Sequence, residues 1–455
     1  MNEDFGELVE GLDELVADTN IEAWQAAELA AQAVDPDVVL GGPALAETST
    51  AAKTWALFSG LALVMMGNGL QGAVLGIRSQ SEGFGVTVGG LIMTAYFVGF
   101  LLGSRYAEHA LRTVGHIRVF AALASTASSA SLMHVLWVNP YAWAGLRLVF
   151  GLCMAGLYVV VESWLSDLST NANRGRLLAL YMVVSMGFMA AGQFLLNAAD
   201  PATFTLFALA SVLVSISLVP VTLSATSSPP LHEPVPLGFR ELLRLAPSGV
   251  AVSFLSGTGL GGLIGLTAVY AGNTDLGGAR LSIWLAAPVF GAIVLQWPIG
   301  WLSDRLPRRA IIAAVAVAAA TLSFALFALD ATSKVGTLLL LMLGATAYPL
   351  YSLAIAITQD WVQPKQIVGA SATLVRVNGT GAIVGPLVTA GLMAIDTDLL
   401  WIAQMAAYSS IAVFLVYRIF VVEAIPLDQQ APYQAFPARA SERAAVLLQR
   451  RRTKP

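Results

Sequence analysis

The chain has little charge for its length. Of 455 residues only 11% are Asp, Glu, Lys or Arg, against 57% hydrophobic, and so few charges cannot cover the surface of a soluble protein of this size. A single cysteine, Cys153, excludes an intrachain disulfide and any multi-cysteine metal site. The four histidines, His109, His116, His134 and His232, are scattered without ligand spacing, so neither a zinc enzyme nor a redox protein is in view. A glycine-rich phosphate loop is missing too, which argues against a nucleotide-driven pump. No enzyme activity, metal, cofactor or nucleic-acid partner is therefore expected. No apolar core precedes residue 54, so a secretory leader is not expected either.

What the chain does have is long apolar runs, with a mean hydropathy of +0.73. A bilayer crossing needs about 20 apolar residues, and twelve such runs fit between residues 54 and 422. Six lie in 54–223 and six in 246–422, separated at 224–245 by a linker holding Pro229, Pro230, Pro234 and Pro236. The expectation is an all-α membrane protein of twelve transmembrane helices in two pseudo-symmetric six-helix bundles. Ahead of them, 1–53 carries twelve of the 28 acids. It reads either as a solvated acidic tail or as a regulatory helix, since Phe5, Leu8, Val9 and Leu12 recur at helical spacing. Behind them, 423–455 carries Arg439, Arg443, Arg450, Arg451, Arg452 and Lys454, a basic tail that is either solvated or in contact with anionic lipid.

Basic residues set the expected orientation. Arg105, Arg112, Arg118, Arg174, Arg176, Arg240, Arg244, Arg305, Arg308, Arg309 and Lys365 fall in or beside the even-numbered loops, and only Arg78, Arg280 and Lys334 in the odd ones. Positive charge marks the cytoplasmic face, so both termini are expected in the cytoplasm and the protein in a bacterial inner membrane.

The stretch Gln296 to Arg309 reads Q-W-P-I-G-W-L-S-D-R-L-P-R-R, between two spanning runs. An ungapped offset of 193 residues sets Arg112 against Arg305, and Gly69, Leu70 and Gly72 against Gly262, Leu263 and Gly265. It also sets Gly151 and Tyr158 against Gly344 and Tyr351, Asp167 against Asp360, and Gly192 against Gly385. One offset serving five separate segments points to a duplicated chain. The first-half loop is degenerate, with Leu111 where Asp304 stands.

The spacing G-x-x-x-D-R with two further arginines resembles the loop between the second and third helices of each half in major facilitator superfamily transporters. V-V-V-E-S-W, N-R-G-R-L-L-A-L-Y-M and Q-W-P-I-G together look like the sparsely characterised bacterial YcaD-like branch, over about residues 55–420. The resemblance implies the superfamily's fold and transport, without naming a solute. G-A-I-V-G-P at 381–386 is similar to an antiporter motif that in relatives marks the fifth helix, whereas here it falls in the eleventh.

Arg147 opens R-L-V-F-G, which resembles a fourth-helix motif associated with proton coupling in the superfamily's antiporters. A charge inside a span is costly and faces a cavity or a partner; a structural arginine bonded to backbone is the other reading. Glu162 lies fifteen residues further along the same helix. Burial penalises the charged form of a carboxyl, which suits a proton carrier. Equally, Glu162 could clamp Arg112, Arg174 or Arg176 in a gate. Asn68, Gln71, Tyr158, Gln193, Gln296, Tyr348, Tyr351, Arg376 and Asn378 are the candidate cavity lining, with interhelical bonding the alternative role for each. Arg112, Asp167, Arg174, Arg176, Asp304, Arg305, Arg308, Arg309 and Asp360 are the candidate cytoplasmic gate. The expected function is secondary active transport of a small organic solute, coupled to protons, by a monomer in the lipid bilayer. An uncoupled facilitator and a transporter-like membrane sensor are the alternatives.

Overall fold

In the computed structural model, residues 50–169, 173–223, 237–421 and 425–433 are described. The acidic segment before residue 50 and the basic tail after 433 lie outside them, as does most of the proline-rich linker. Twelve helices are long and apolar enough to cross a membrane. The first six are α1 (Thr54–Ser81), α2 (Gly85–Val114), α3 (His116–Leu136), α4 (Pro140–Ser166), α5 (Gly175–Ala198) and α6 (Thr205–Thr222). The second six are α7 (Pro247–Ala271), α8 (Gly278–Ser303), α9 (Arg308–Ala328), α10 (Lys334–Gln359), α11 (Ile367–Met393) and α12 (Leu399–Val421). Helices α1 and α2 run several residues past their apolar stretches, to Ser81 and Val114, because an α-helix satisfies its own backbone bonds whatever its side chains. A short helix, Phe239–Leu245, leads from the linker into α7.

Large apolar side chains such as Val294, Phe324 and Val413 point outward along the spans, as a lipid-facing surface requires. Exposed Trp55, Tyr106, Trp297 and Trp301 ring the end that carries the Asp304–Arg309 loop, called here the charged-loop end. Trp137 and Tyr141 are exposed at the opposite end. Such aromatic girdles belong at headgroup level.

Between helices the contacts are backbone to backbone, through glycine. A Cβ on Gly151 of α4 would lie 2.1 Å from the Tyr96 carbonyl oxygen on α2, and one on Gly344 of α10 would lie 2.0 Å from the Pro288 oxygen on α8. Likewise a Cβ on Gly192 of α5 would lie 2.1 Å from the Met66 oxygen on α1, and one on Gly385 of α11 would lie 2.0 Å from the Thr258 oxygen on α7. These are the glycine pairs that the 193-residue offset relates. Each therefore makes the same helix contact in its own bundle, which is the structural content of the repeat. In G-A-I-V-G-P, Gly381 and Gly385 both lie against α7, so the motif acts as a close-packing face.

Within α10, Pro349 supplies no N–H to the preceding turn, yet the backbone at Tyr348 stays α-helical and the helix runs on from Lys334 to Gln359. Contacts between the two bundles gather toward the end away from the charged loop. There Asn273 Nδ2 donates to Gln80 Oε1 at 3.2 Å and Asn197 Nδ2 to Ser282 Oγ at 2.9 Å, while Phe194 and Phe290 pack at 6.2 Å between ring centroids.

The glycine contacts predict a contrast within α5. Gly192→Ala should destabilise by about 1–3 kcal/mol through overpacking. Gly187, with nothing within 4 Å of an added Cβ, should tolerate alanine with no loss or a small gain. Thermal unfolding of the detergent-purified variants reads the difference, and equal midpoints would contradict this account of the packing.

Candidate functional site

Near mid-span the two bundles leave between them a cleft of about 70 Å³. Helix α1 contributes Asn68, Gly69 and Gly72, α5 contributes Met189 and Gln193, α7 contributes Leu263 and Thr267, α8 contributes Leu285 and Pro288, and α10 contributes Tyr348. No charged side chain lines it. Thr267 turns its hydroxyl back to the Leu263 carbonyl of its own helix. The two amides behave differently: among the described residues neither Asn68 Nδ2 nor Gln193 Oε1 has a protein partner. One is a donor, the other an acceptor, and both are buried atoms beside open space. A buried polar atom left without a partner is costly, so this pair favours a guest offering the complementary acceptor and donor.

Gln71 lies three residues along from Asn68 and faces elsewhere. Its Oε1 accepts from Arg147 Nη1 at 2.6 Å. The guanidinium also lies over the rings of Tyr96, at 4.7 Å, and Phe150, at 5.9 Å, and Nη2 approaches Met93 Sδ at 3.4 Å. An amide oxygen and two ring faces thus surround a cation that is only 5% exposed. It borders the cleft through Gly72, whose added Cβ would lie 3.9 Å from Nη2.

Glu162 stands on the same unbroken helix, Pro140–Leu168, about 22 Å from Arg147 at ~1.5 Å per residue. It is fully buried and accepts from the Tyr181 hydroxyl at 2.7 Å. Beside it, Ser163 Oγ lies 2.9 Å from His116 Nε2, and the His116 ring lies against Trp164 at 5.4 Å. Arg112 and Arg176 are exposed, while the side chains of Asp167 and Arg174 lie outside the described residues.

A second cleft, of about 40 Å³, opens between α2 and α11 nearer the charged-loop end, lined by Tyr96, Phe97, Phe100, Tyr351 and Asn378 among others. The remaining cavity candidates are engaged in packing. Asn378 Nδ2 donates to the Ser253 carbonyl at 2.9 Å, and the Tyr158 hydroxyl to Met65 Sδ at 3.0 Å. Gln296 Nε2 donates to Ser352 Oγ at 3.3 Å, and Arg376 Nη2 to Thr373 Oγ1 at 3.0 Å. Only Asn68, Gln193 and Tyr348 of the nine line the central cleft. Sequence reading missed the aromatic wall of Tyr96, Phe97 and Phe100, although its i, i+1, i+4 spacing puts all three on one helical face.

At the charged-loop end Arg308 is the hub. Its Nη1 meets both oxygens of Asp360 at 2.6 Å and the Ala356 carbonyl at 3.1 Å, and its Nη2 reaches Asp304 Oδ1 at 3.2 Å. Arg308 and Asp360 are 1% and 3% exposed, Asp304 36%. Arg305 turns outward, 3.7 Å over the Trp301 ring. Arg309 lies 5.6 Å over Trp361, its Nη1 toward the Arg418 carbonyl at 3.4 Å. All of these contacts are within the second bundle.

The family model described as the Major Facilitator Superfamily matches residues 57–277 and 249–454. The uncharacterised MFS-type transporter YcaD of Escherichia fergusonii is 27% identical over 365 residues, covering 80% of this chain and 94% of that one. An uncharacterised MFS-type transporter of Yersinia pestis is 27% identical over 348 residues, 76% of this chain and 88% of that one. Among solved structures, the nucleoside transporter NupG superposes with a TM-score of 0.66 at 13% identity, covering 82% of this chain and all (100%) of that one. The human organic anion transporter MFSD10 gives 0.56 at 14% identity, with the same 82% and 100% coverage. At these identities the solved structures speak to fold alone.

The charge hub yields a graded prediction. Asp360→Asn should cost about 3–5 kcal/mol of stability, because it removes the buried one of the two carboxylates that Arg308 holds and leaves only the part-exposed Asp304. Asp304→Asn, at the half-exposed partner, should cost about 1 kcal/mol or less. Thermal or denaturant unfolding of the two variants side by side tests this, and equal losses would rule it out.

Proposed function

We propose that this chain, which belongs to the major facilitator superfamily of transporters, moves a small organic solute across the bilayer by alternating access, driven by proton coupling. The observation that carries the reading is the central cleft, shared by both bundles and lined by two unpartnered amide atoms. Its uncharged lining favours a solute that is neutral where it binds and bears both a hydrogen-bond donor and an acceptor. Two parallel repeats around a mid-span site are the arrangement in which rocking one bundle against the other exposes the site to each side in turn.

The excess of Arg and Lys at the charged-loop end supports placing that end, and both termini, in the cytoplasm of a bacterium. Contacts between bundles at the opposite end then describe a conformer shut toward the outside. For the topology, single cysteines in a Cys153→Ser background are the probe. Asp200→Cys and Lys334→Cys, both at exposed positions, should react with an impermeant maleimide added to intact cells. Thr113→Cys and Gln363→Cys, also exposed, should react only after permeabilisation, and the opposite pattern would invert the orientation.

Proton coupling is assigned to Glu162, with Arg147 holding positive charge at the edge of the cleft. Burial favours a neutral carboxyl while polar or charged neighbours favour the ion, so a carboxyl whose surroundings change as the bundles rock takes up a proton in one state and releases it in the other. Glu162 is fully buried at the end where such a change would fall. Glu162→Gln should keep binding and equal exchange of a solute found by thermal-shift screening, yet lose its accumulation under an imposed pH gradient in proteoliposomes. Full accumulation by this variant would remove Glu162 from the mechanism, and wild-type uptake indifferent to pH would favour an uncoupled facilitator.

A further inference from the structure

Past the end of α12 the chain returns to the charge hub. Residues 425–433 contain a single 3₁₀ turn, Leu427–Gln429, and then an extended piece whose backbone meets the hub's side chains. Ala431 N–H donates to Asp360 Oδ1 at 2.8 Å, and the Ala431 carbonyl accepts from Arg308 Nη2 at 2.5 Å. Two residues on, Tyr433 N–H donates to Asp304 Oδ1 at 2.6 Å. Ala431 is 2% exposed. The Tyr433 ring covers Gly300, where an added Cβ would come within 2.1 Å of Cε1. Gly300 is the glycine of G-x-x-x-D-R, so in this chain the motif's small residue is the floor of a slot for a tyrosine.

These contacts join three helix ends. Asp304 follows α8, Arg308 opens α9 and Asp360 follows α10, and the returning segment is bonded to all three. Helix α10 carries Pro349, which gives no N–H to the preceding turn, so its second part, Pro349–Gln359, joins the first through a turn with one backbone bond fewer. Tyr348 lines the central cleft and Tyr351 the second one. This half of α10, which borders both clefts, is therefore pinned at its far end by the returning segment and Arg308.

We propose that residues 425–433 are a latch that holds the second segment of α10 against α8 and α9, and that releasing the latch lets this segment swing and reshape the clefts. The latch acts on the second bundle whatever solute is carried, so it stands or falls apart from the transport reading above.

Locking and removing the latch test it. In a Cys153→Ser background, Gly300→Cys with Tyr433→Cys places two thiols where the ring now lies on the glycine, within the short Cβ separation that a disulfide requires. Ketone-bearing residues at Thr113 and Gln363, both exposed, carry nitroxides that ignore thiols, and pulsed electron resonance gives the distance between the bundles at this end. The oxidised protein should show one narrow distance, and reduction should add a second population. A chain ending at Val421, or Ala431→Pro, which removes the N–H given to Asp360, should shift most molecules into that second population. A distance distribution unchanged between the oxidised and reduced forms overturns the latch. So does one in which neither Ala431→Pro nor the shortened chain differs from the parent, and Ala431→Pro keeps the test decisive if the shortened chain does not fold.

Discussion

Helix backbones in this protein touch one another through glycine, and the rest of the arrangement depends on that contact. Lipid tails are as apolar as leucine, so no hydrophobic force draws one spanning helix to the next, and close van der Waals approach has to hold them. Gly151 against the Tyr96 carbonyl and Gly344 against the Pro288 carbonyl do this in equivalent places of the two bundles. Because backbone contact carries the packing, polar side chains are not all consumed as interhelical glue. Among the described residues, Asn68 Nδ2 and Gln193 Oε1 can remain without protein partners at mid-span.

The duplicated architecture was legible because the packing glycines cannot drift. A one-residue shift in either half would put a Cβ into a carbonyl oxygen, so Gly192 and Gly385 hold their offset while surrounding apolar residues vary. The cleft was legible only in part. Asn68 and Gln71 are both polar residues in an apolar helix, and nothing in their spacing says that one lines the cleft while the other accepts from Arg147; that division is set by how α1 is rotated against α4. The return of residues 425–433 left no trace in the sequence, since its bonds run through the backbone of Ala431 and Tyr433 and a backbone N–H has no residue signature.

The two bundles share a topology and differ at their charged ends. In the second, Asp304, Arg308 and Asp360 form a connected group closed over by the returning chain. In the first, Leu111 stands where Asp304 does and is 3% exposed, so an apolar contact occupies the place of a charged one. An apolar contact separates and re-forms without leaving an ion uncompensated, whereas a buried ion pair does not. At position 111 the first half therefore offers an apolar contact where the second offers a charged one, although Gly151 and Gly344 pack alike.

The bond between Asn273 and Gln80 joins two residues whose numbers differ by 193, the offset that relates the repeats. A position bonded to its own duplicate sits on the axis of symmetry, as self-complementary contacts do at the interface of a homodimer. The hydrogen bond that fastens one bundle to the other therefore marks where the axis relating the two repeats passes between them.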